Sequence, residues 1–477
     1  MSRNAIIMTI FLVYLIGIGI YGAWAARQVK DSDDYLLAGR GVNLFNLIMH
    51  NIGTAIGGGD FFTFGALGFL WGIAGINFGL PWFVGTIIFA LLFVRRIKER
   101  ADENTYSLAS LFGQTWKSRG IELMVAAISF LLVVGYLAAQ GSAMGKMFNV
   151  LTGMRYEIGV ALGTIVFIFY VYLGGYVSAV KADVIQAAIL LGGMILMLGY
   201  GIFTVTTVPA KSLVQLPATH YSLFGAVPAM ALISLWVNRS MANGFLKPHV
   251  YQQIYCAENA ETATRGIFWG NLVSFIGACT LVISGLFVAK IVPALADYEA
   301  AVPWFIQNKF AAIPAGLMLA AIFAAIMSSA NSLLMTAVTL FSDSIYRKFF
   351  NPKADGLQMK KFAKGAVLVI GFGSIAIAYL LPSVVKIILT MSSWMPVLLP
   401  PLIATLWFDK NVDVRAVFAS ILTGFVTVFC FNVIPSLSKL TDGGSIPGLA
   451  VSAVVLLLGC VIFSGSKKPN LADQKGA

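Results

Sequence analysis

Ala324-Ala325-Ile326-Met327-Ser328-Ser329-Ala330-Asn331-Ser332 lies inside an apolar run from about 313 to 341, long enough to cross a bilayer. Two adjacent hydroxyls, an amide and a third hydroxyl therefore sit at membrane depth, where polar groups are costly unless they have partners. Ser328 and Ser332 are four residues apart and share a helix face, flanked by Ser329 and Asn331. Two readings are open from these residues alone. Serine and alanine allow helices to pack closely; a neutral cluster of oxygens also suits a hard cation such as Na+.

The rest of the chain sets the context. Of its 477 residues 59% are hydrophobic and only 11% charged, against about 25% charged in a soluble domain. The composition is that of an all-helical polytopic membrane protein, with the lipid bilayer as its surroundings. Apolar runs of about 20 residues fall near 5–26, 43–70, 73–95, 121–148, 157–175, 179–206, 222–242, 264–291, 312–343, 362–381, 384–408, 414–434 and 446–464. That makes about thirteen membrane crossings; we name the first the leader and the others helices 1 to 12. The leader ends in no small-residue cleavage site and reads as a retained helix.

The net charge of +12 is not a nucleic-acid footprint, because the basic residues follow the membrane. Arg27, Lys30 and Arg40 precede helix 1, and Arg95, Arg96, Lys98, Arg100, Lys117 and Arg119 lie between helices 2 and 3. Arg347, Lys348, Lys353, Lys360, Lys361 and Lys364 lie between helices 8 and 9, and Lys467, Lys468 and Lys475 in the tail. Adding Lys181, Arg239, Lys247, Arg265, Lys410 and Arg415 puts roughly three quarters of the basic residues on one side. An outside N-terminus and a cytoplasmic C-terminus follow. The lack of a large outside loop or an outside glycosylation sequon points to a prokaryotic plasma (inner) membrane.

No loop exceeds about 30 residues, which leaves no room for a soluble catalytic domain. No GxxxxGKS/T phosphate loop, Ser/His/Asp set, HExxH or paired-acid constellation occurs in the apolar region, so an enzyme is not expected. The four cysteines, Cys256, Cys279, Cys430 and Cys460, form no CxxC pair. His50, His220 and His249 show no metal-ligand spacing and read as polar residues near helix ends.

Four parts are expected: 1–41 as leader and inner loop, 42–206 as helices 1–5, 207–410 as helices 6–10, and 411–477 as helices 11–12 and a cytoplasmic tail. Five helices followed by five of opposite orientation is an inverted repeat, and the first helix of each half is interrupted. Helix 1 contains Gly57-Gly58-Gly59-Asp60, and helix 6 runs into Asn238-Arg239-Ser240 and Asn243-Gly244. A glycine triplet destabilises a helix by about 1 kcal/mol per residue relative to alanine, and unwound backbone at membrane depth is tolerated where it lines a cavity. Asp60 beside that break is poorly explained by packing, since buried charge is expensive. Asp183 and Gln186 share a face at the start of helix 5, either as a helix cap or as ligands. Gln140 on helix 3 can bond a solute or a neighbouring helix. Pro396, Pro400 and Pro401 predict a bent helix 10.

Taken together these segments resemble the sodium:solute symporter family, which includes proline, pantothenate, sialic acid and sodium–glucose cotransporters. The likeness runs from Asp34-Tyr35 and Ala38-Gly39-Arg40 through Gly174-Gly175, Ala179-Val180, Asp183 and Gln186. It continues with Pro248-His249, Gln253 and Ala257, and ends with Pro400-Pro401 and Trp407-Phe408. Ala182 stands where the family usually has threonine. The resemblance implies the leucine-transporter-like 5+5 inverted repeat with one leading and two trailing helices. It implies a Na+ site formed by Gly53, Ile56, Ala325, Ser328 and Ser329, the first three through backbone carbonyls. A second Na+ site, present in some members, corresponds to Asp183, Ser328, Asn331 and Ser332, with Asn331 replacing a hydroxyl.

The expected activity is secondary active symport, in which inward Na+ flux drives uptake of a small organic solute by alternating access. Gly79 stands where sugar-carrying members place a glutamate, which argues against a sugar. Asp60 and Gln140 are the expected solute contacts, and an acid at 60 favours an amino acid or amine, with a carboxylate left open because half-helix N-termini attract anions. The monomer is the expected functional unit. Proton coupling on the same fold, through Asp60 or Asp183, and a solute sensor that does not transport are the alternatives.

Overall fold

The computed structural model describes residues 2–463 apart from 226, 228, 293, 381–382, 410 and 439–443. Lys410 and the tail lysines Lys467, Lys468 and Lys475 lie outside the described residues. Among the described residues the structure is helical, with a single isolated bridge, Val42 to Ala257, as its only extended pairing. Nine continuous helical stretches among them are long and apolar enough to span a membrane. The remaining runs are the interrupted ones, and each interruption has a local cause.

Helix 1 is two helices. Leu44–Ala55 starts on the Asn43 side chain, which accepts from the Asn46 N–H, and ends where Ile56 turns extended (φ −116°, ψ 92°). Gly58–Trp71 then begins after Gly57. The glycines are there because helix 8 comes against them. A Cβ on Gly58 would lie 2.0 Å from Ile326 Cγ1, and one on Gly57 would lie 2.8 Å from both Ser329 Oγ and Gln140 Nε2.

Helices 4 and 5 lie within Tyr156–Thr207 and are separated by a sharp kink at Gly175, which leaves helical geometry (φ 52°, ψ −144°). Only glycine takes such a left-handed conformation without strain, and a Cβ there would also lie 2.5 Å from the Tyr35 carbonyl. Helix 6, Ala229–Asn238, runs into a wide π-helical turn, Arg239–Phe245. Helix 10 is Val384–Ser392 and Leu399–Trp407, joined by a short 3-10 turn at Pro396–Leu398, so the bend expected from the prolines is present.

Helix 8, Ala312–Leu340, is the centre of the molecule, and every residue from Met318 to Leu340 is buried. It packs on helix 5, the leader, helix 3 and helix 1. The periphery is the reverse: Val13, Ile16 and Ile20 on the leader, and Leu457, Val461 and Ile462 on helix 12, project outward, as lipid-facing residues do. The loop after helix 6 is tied to the loop before helix 1, since Val42 N–H donates to Cys256 O at 3.0 Å and Glu258 N–H to Val42 O at 3.1 Å.

Candidate cation and solute site

The break in helix 1 faces the serine pair of helix 8. Ser328 Oγ lies 2.6 Å from the Gly53 carbonyl oxygen, 2.8 Å from that of Ala324 and 3.1 Å from that of Ala325. The Ala324 and Ala325 contacts are those a helical serine makes to its own preceding turn; the Gly53 oxygen is reached across from helix 1. Ser329 Oγ lies 3.3 Å from both the Gly53 and Thr54 carbonyls. Ile56, fully buried, has left the helical ladder one turn further on. The result is a dry cluster of neutral hydroxyl and carbonyl oxygens from two helices, the donor set that a hard monovalent cation takes. Gly53, Ala325, Ser328 and Ser329 are thus brought together. The Thr54 carbonyl joins them without having been foreseen, and Ile56 stands at the break beside them.

A second polar group lies one step away. Asp183 is fully buried; its Oδ2 is 2.6 Å from His50 Nδ1, and His50 Nε2 is 2.8 Å from the Tyr176 hydroxyl. Among the described residues the other oxygen, Asp183 Oδ1, has no hydrogen-bond partner, nor do Asn331 Oδ1, Asn331 Nδ2, Ser332 Oγ or Gln186 Oε1. Buried polar atoms are nearly always satisfied, so this concentration of unpartnered oxygens on helices 5 and 8 is unusual. A Cβ on Gly53 would meet both Ser328 Cβ at 3.2 Å and Asp183 Cβ at 3.6 Å, so the two groups are neighbours.

On the other side of the break, Asp60 and Gln140 converge on the start of the second half-helix. Asp60 Oδ2 accepts from the Gly57 N–H at 3.3 Å, and Gln140 Oε1 accepts from the Gly59 N–H at 3.4 Å. Asp60 Oδ1 lies 3.9 Å from Arg239 Nη2 on helix 6. Asp60 keeps 20% of its side chain exposed while Arg239 keeps 3%.

Behind these groups a chain of amides fixes the first half-helix. Asn271 Nδ2 donates to Asn51 Oδ1 at 3.0 Å, Asn51 Nδ2 to Gln253 Oε1 at 2.8 Å, and Gln253 Nε2 to Thr54 Oγ1 at 2.6 Å. Gln253 is thereby the strut that links the loop after helix 6 to the residues holding the oxygen cluster.

Three residues were misjudged from sequence. His50 is not a polar residue near a helix end but the partner of Asp183. Arg239 and Lys247, counted with the inner-loop cations, are 2% and 7% exposed and lie against the rings of Phe78 and Trp82. Their positions beside the interruption of helix 6 were the available signal.

The profile of the sodium:solute symporter family matches residues 35–424. The osmoregulated proline transporter OpuE of Bacillus subtilis (strain 168) is 23% identical over 476 residues, covering 97% of this chain and 95% of that protein. Among solved structures, the substrate-bound outward-open state of a Na+-coupled sialic acid symporter superposes with a TM-score of 0.80 at 18% identity, over 97% of this chain and 98% of that one. MHP1, a nucleobase-cation-symport-1 family transporter in a closed conformation with bromovinylhydantoin bound, gives 0.59 at 13% identity, over 94% and 98%. The fold is therefore the leucine-transporter-like inverted repeat in a multi-pass membrane protein. With most of its length matched and its serine pair closed on a broken helix 1, the chain belongs to the sodium:solute symporter family, and it is a Na+-coupled transporter of a small solute rather than an enzyme.

Proposed function

We propose that Na+ binds where helix 8 meets the break in helix 1, held by the carbonyls of Gly53, Ile56 and Ala325 and the hydroxyls of Ser328 and Ser329. The observation that carries this reading is the reach of both serine hydroxyls onto carbonyl oxygens at the broken end of helix 1, Ser328 Oγ to Gly53 at 2.6 Å and Ser329 Oγ to Gly53 and Thr54 at 3.3 Å. A cation there binds the two half-sites to each other and so couples helix 8 to the wall of the solute cavity. A neutral ligand shell leaves the ion's charge uncompensated, which makes its movement sensitive to membrane voltage. Asp60 and Gln140 line the solute cavity, and the proline transporter among the relatives supports an amino acid as the solute.

The repeat boundaries follow the sequence division: 42–206 and 207–410 as the two halves, preceded by the leader and followed by helices 11 and 12. The distribution of basic residues supports an outside N-terminus and a cytoplasmic C-terminus in the plasma (inner) membrane. A second Na+ site formed by Asp183, Ser328, Asn331 and Ser332 is favoured by the unpartnered oxygens on helices 5 and 8. His50 then orients Asp183 through one oxygen and leaves the other for the ion.

Purified protein in proteoliposomes, assayed at fixed pH, tests the coupling ion. Replacing Na+ by choline is expected to lower initial uptake tenfold or more, by about the free energy of one occupied site. Uptake that persists in choline and follows an imposed pH gradient would mean that a proton takes the place of Na+.

A further inference from the structure

Two buried cations, Arg239 and Lys247, lie beside helix 1 near the Asp60 carboxylate. Arg239 donates from Nε to the Phe78 carbonyl at 3.0 Å, and its guanidinium carbon lies 3.8 Å from the centre of the Phe78 ring. Tyr136 on helix 3 also faces it. Lys247, at the end of the helix 6 turn, is 93% buried, with its ammonium 5.0 Å from the centre of the Trp82 ring. Among the described residues no carboxylate comes within salt-bridge distance of Lys247, and its ammonium has no hydrogen-bond acceptor. Asp60 is the one carboxylate among the described residues within electrostatic reach of both cations. It is already engaged by the Gly57 N–H, and at 3.9 Å from Arg239 it is beyond hydrogen-bond distance.

Burying a charge is costly unless it is paired. An arginine, a lysine and one aspartate leave a surplus positive charge in a mostly apolar wall. Cation–π contacts offset part of that cost; Arg239 is met as well by the Phe78 carbonyl and Tyr136, while the Lys247 ammonium has the Trp82 ring. The arrangement lacks one anion, and it lies beside Asp60.

We propose that Arg239 and Lys247 seat a carboxylate of the transported solute. The proposal rests on the reading of this region as the solute site and names its substrate class: a small carboxylic acid or amino acid, with simple amines rejected. Arginine matches a carboxylate with two parallel N–H donors, and Lys247 adds a point charge from the opposite helix end. In an amino acid the ammonium group turns toward Asp60. A solute that is cationic only would face two positive groups with one partner, which is why the amine expected from Asp60 alone does not fit.

The test is binding to the purified full chain in NaCl or choline chloride. The probes are small carboxylic acids including proline, each paired with its methyl ester, and matched amines including pyrrolidine. Acids are expected to stabilise the Na+-bound protein, with each ester about a hundredfold weaker. Arg239→Gln and Lys247→Met are each expected to weaken acid binding about tenfold or more while Na+ binding alone stays within twofold. Lys247→Arg is expected to recover most of the loss. The proposal is overturned if an amine or an ester binds as well as its acid, if both variants discriminate acid from ester as the parent does, or if no acid binds a protein that still binds Na+. Acid-over-ester preference that is identical in choline would instead remove the coupling reading while sustaining the carboxylate seat.

Discussion

Replacing Ser328 and Ser329 together by alanine is expected to abolish Na+ stimulation of uptake, with Na+ affinity lowered by a hundredfold or more. The argument is energetic. A contact between a hydroxyl and a charged partner contributes about 1.5–3 kcal/mol, and about 1.4 kcal/mol is a factor of ten in affinity. Both serines reach across to the same half-helix, so both contacts are lost in one variant. The fold should survive the change, because alanine is the best helix former and the neighbouring positions Ala324, Ala325 and Ala330 are already alanine. Equilibrium Na+ binding to purified protein, followed alongside its thermal midpoint in choline chloride, separates the two effects. A double variant with the parent's Na+ dependence would show that the serines merely pack helix 8 against helix 1.

That pair was legible in the sequence because its anomaly is local. Hydroxyls in the middle of an apolar run are visible without knowing what they touch, and so is a glycine triplet next to an aspartate. The thirteen apolar runs were legible for the same reason, as was the bend at the helix 10 prolines. The groups that escaped depend on contacts between distant parts of the chain. His50 looks unremarkable until helix 5, more than a hundred residues later, places Asp183 2.6 Å from its ring. Arg239 and Lys247 look like interfacial cations, because a positive residue after an apolar run usually marks the inner surface. They are buried because the chain widens into a π-helical turn there and lays both side chains on the aromatic rings of Phe78 and Trp82. The join between helices 4 and 5 is a related case: a kink at the single left-handed Gly175 separates them where hydropathy suggested a short loop.

Asp183 offers the second large effect, and it reads out ion count rather than affinity. Asp183→Asn is expected to lower the number of charges moved per solute from two to one and the Na+ Hill coefficient from near two to near one. The buried environment gives the reason. One carboxylate oxygen is held by His50; the other, like oxygens of Asn331, Ser332 and Gln186 on the same two helices, has no partner among the described residues. Neutralising the acid removes the only formal negative charge in that set and with it most of the attraction for a second cation, while an amide keeps the shape. The consequence for accumulation is steep. One charge crossing about 100 mV contributes roughly 2.3 kcal/mol, and a tenfold Na+ gradient adds about 1.4 kcal/mol. Each ion therefore supports roughly a 500-fold gradient of a neutral solute, and losing one ion lowers the attainable accumulation by about that factor. Parallel measurement of charge and solute flux in the same proteoliposomes decides the matter. A ratio near one in the parent and the variant alike would mean that Asp183 serves His50 and Tyr176 alone, and that the oxygens around it hold water or nothing charged.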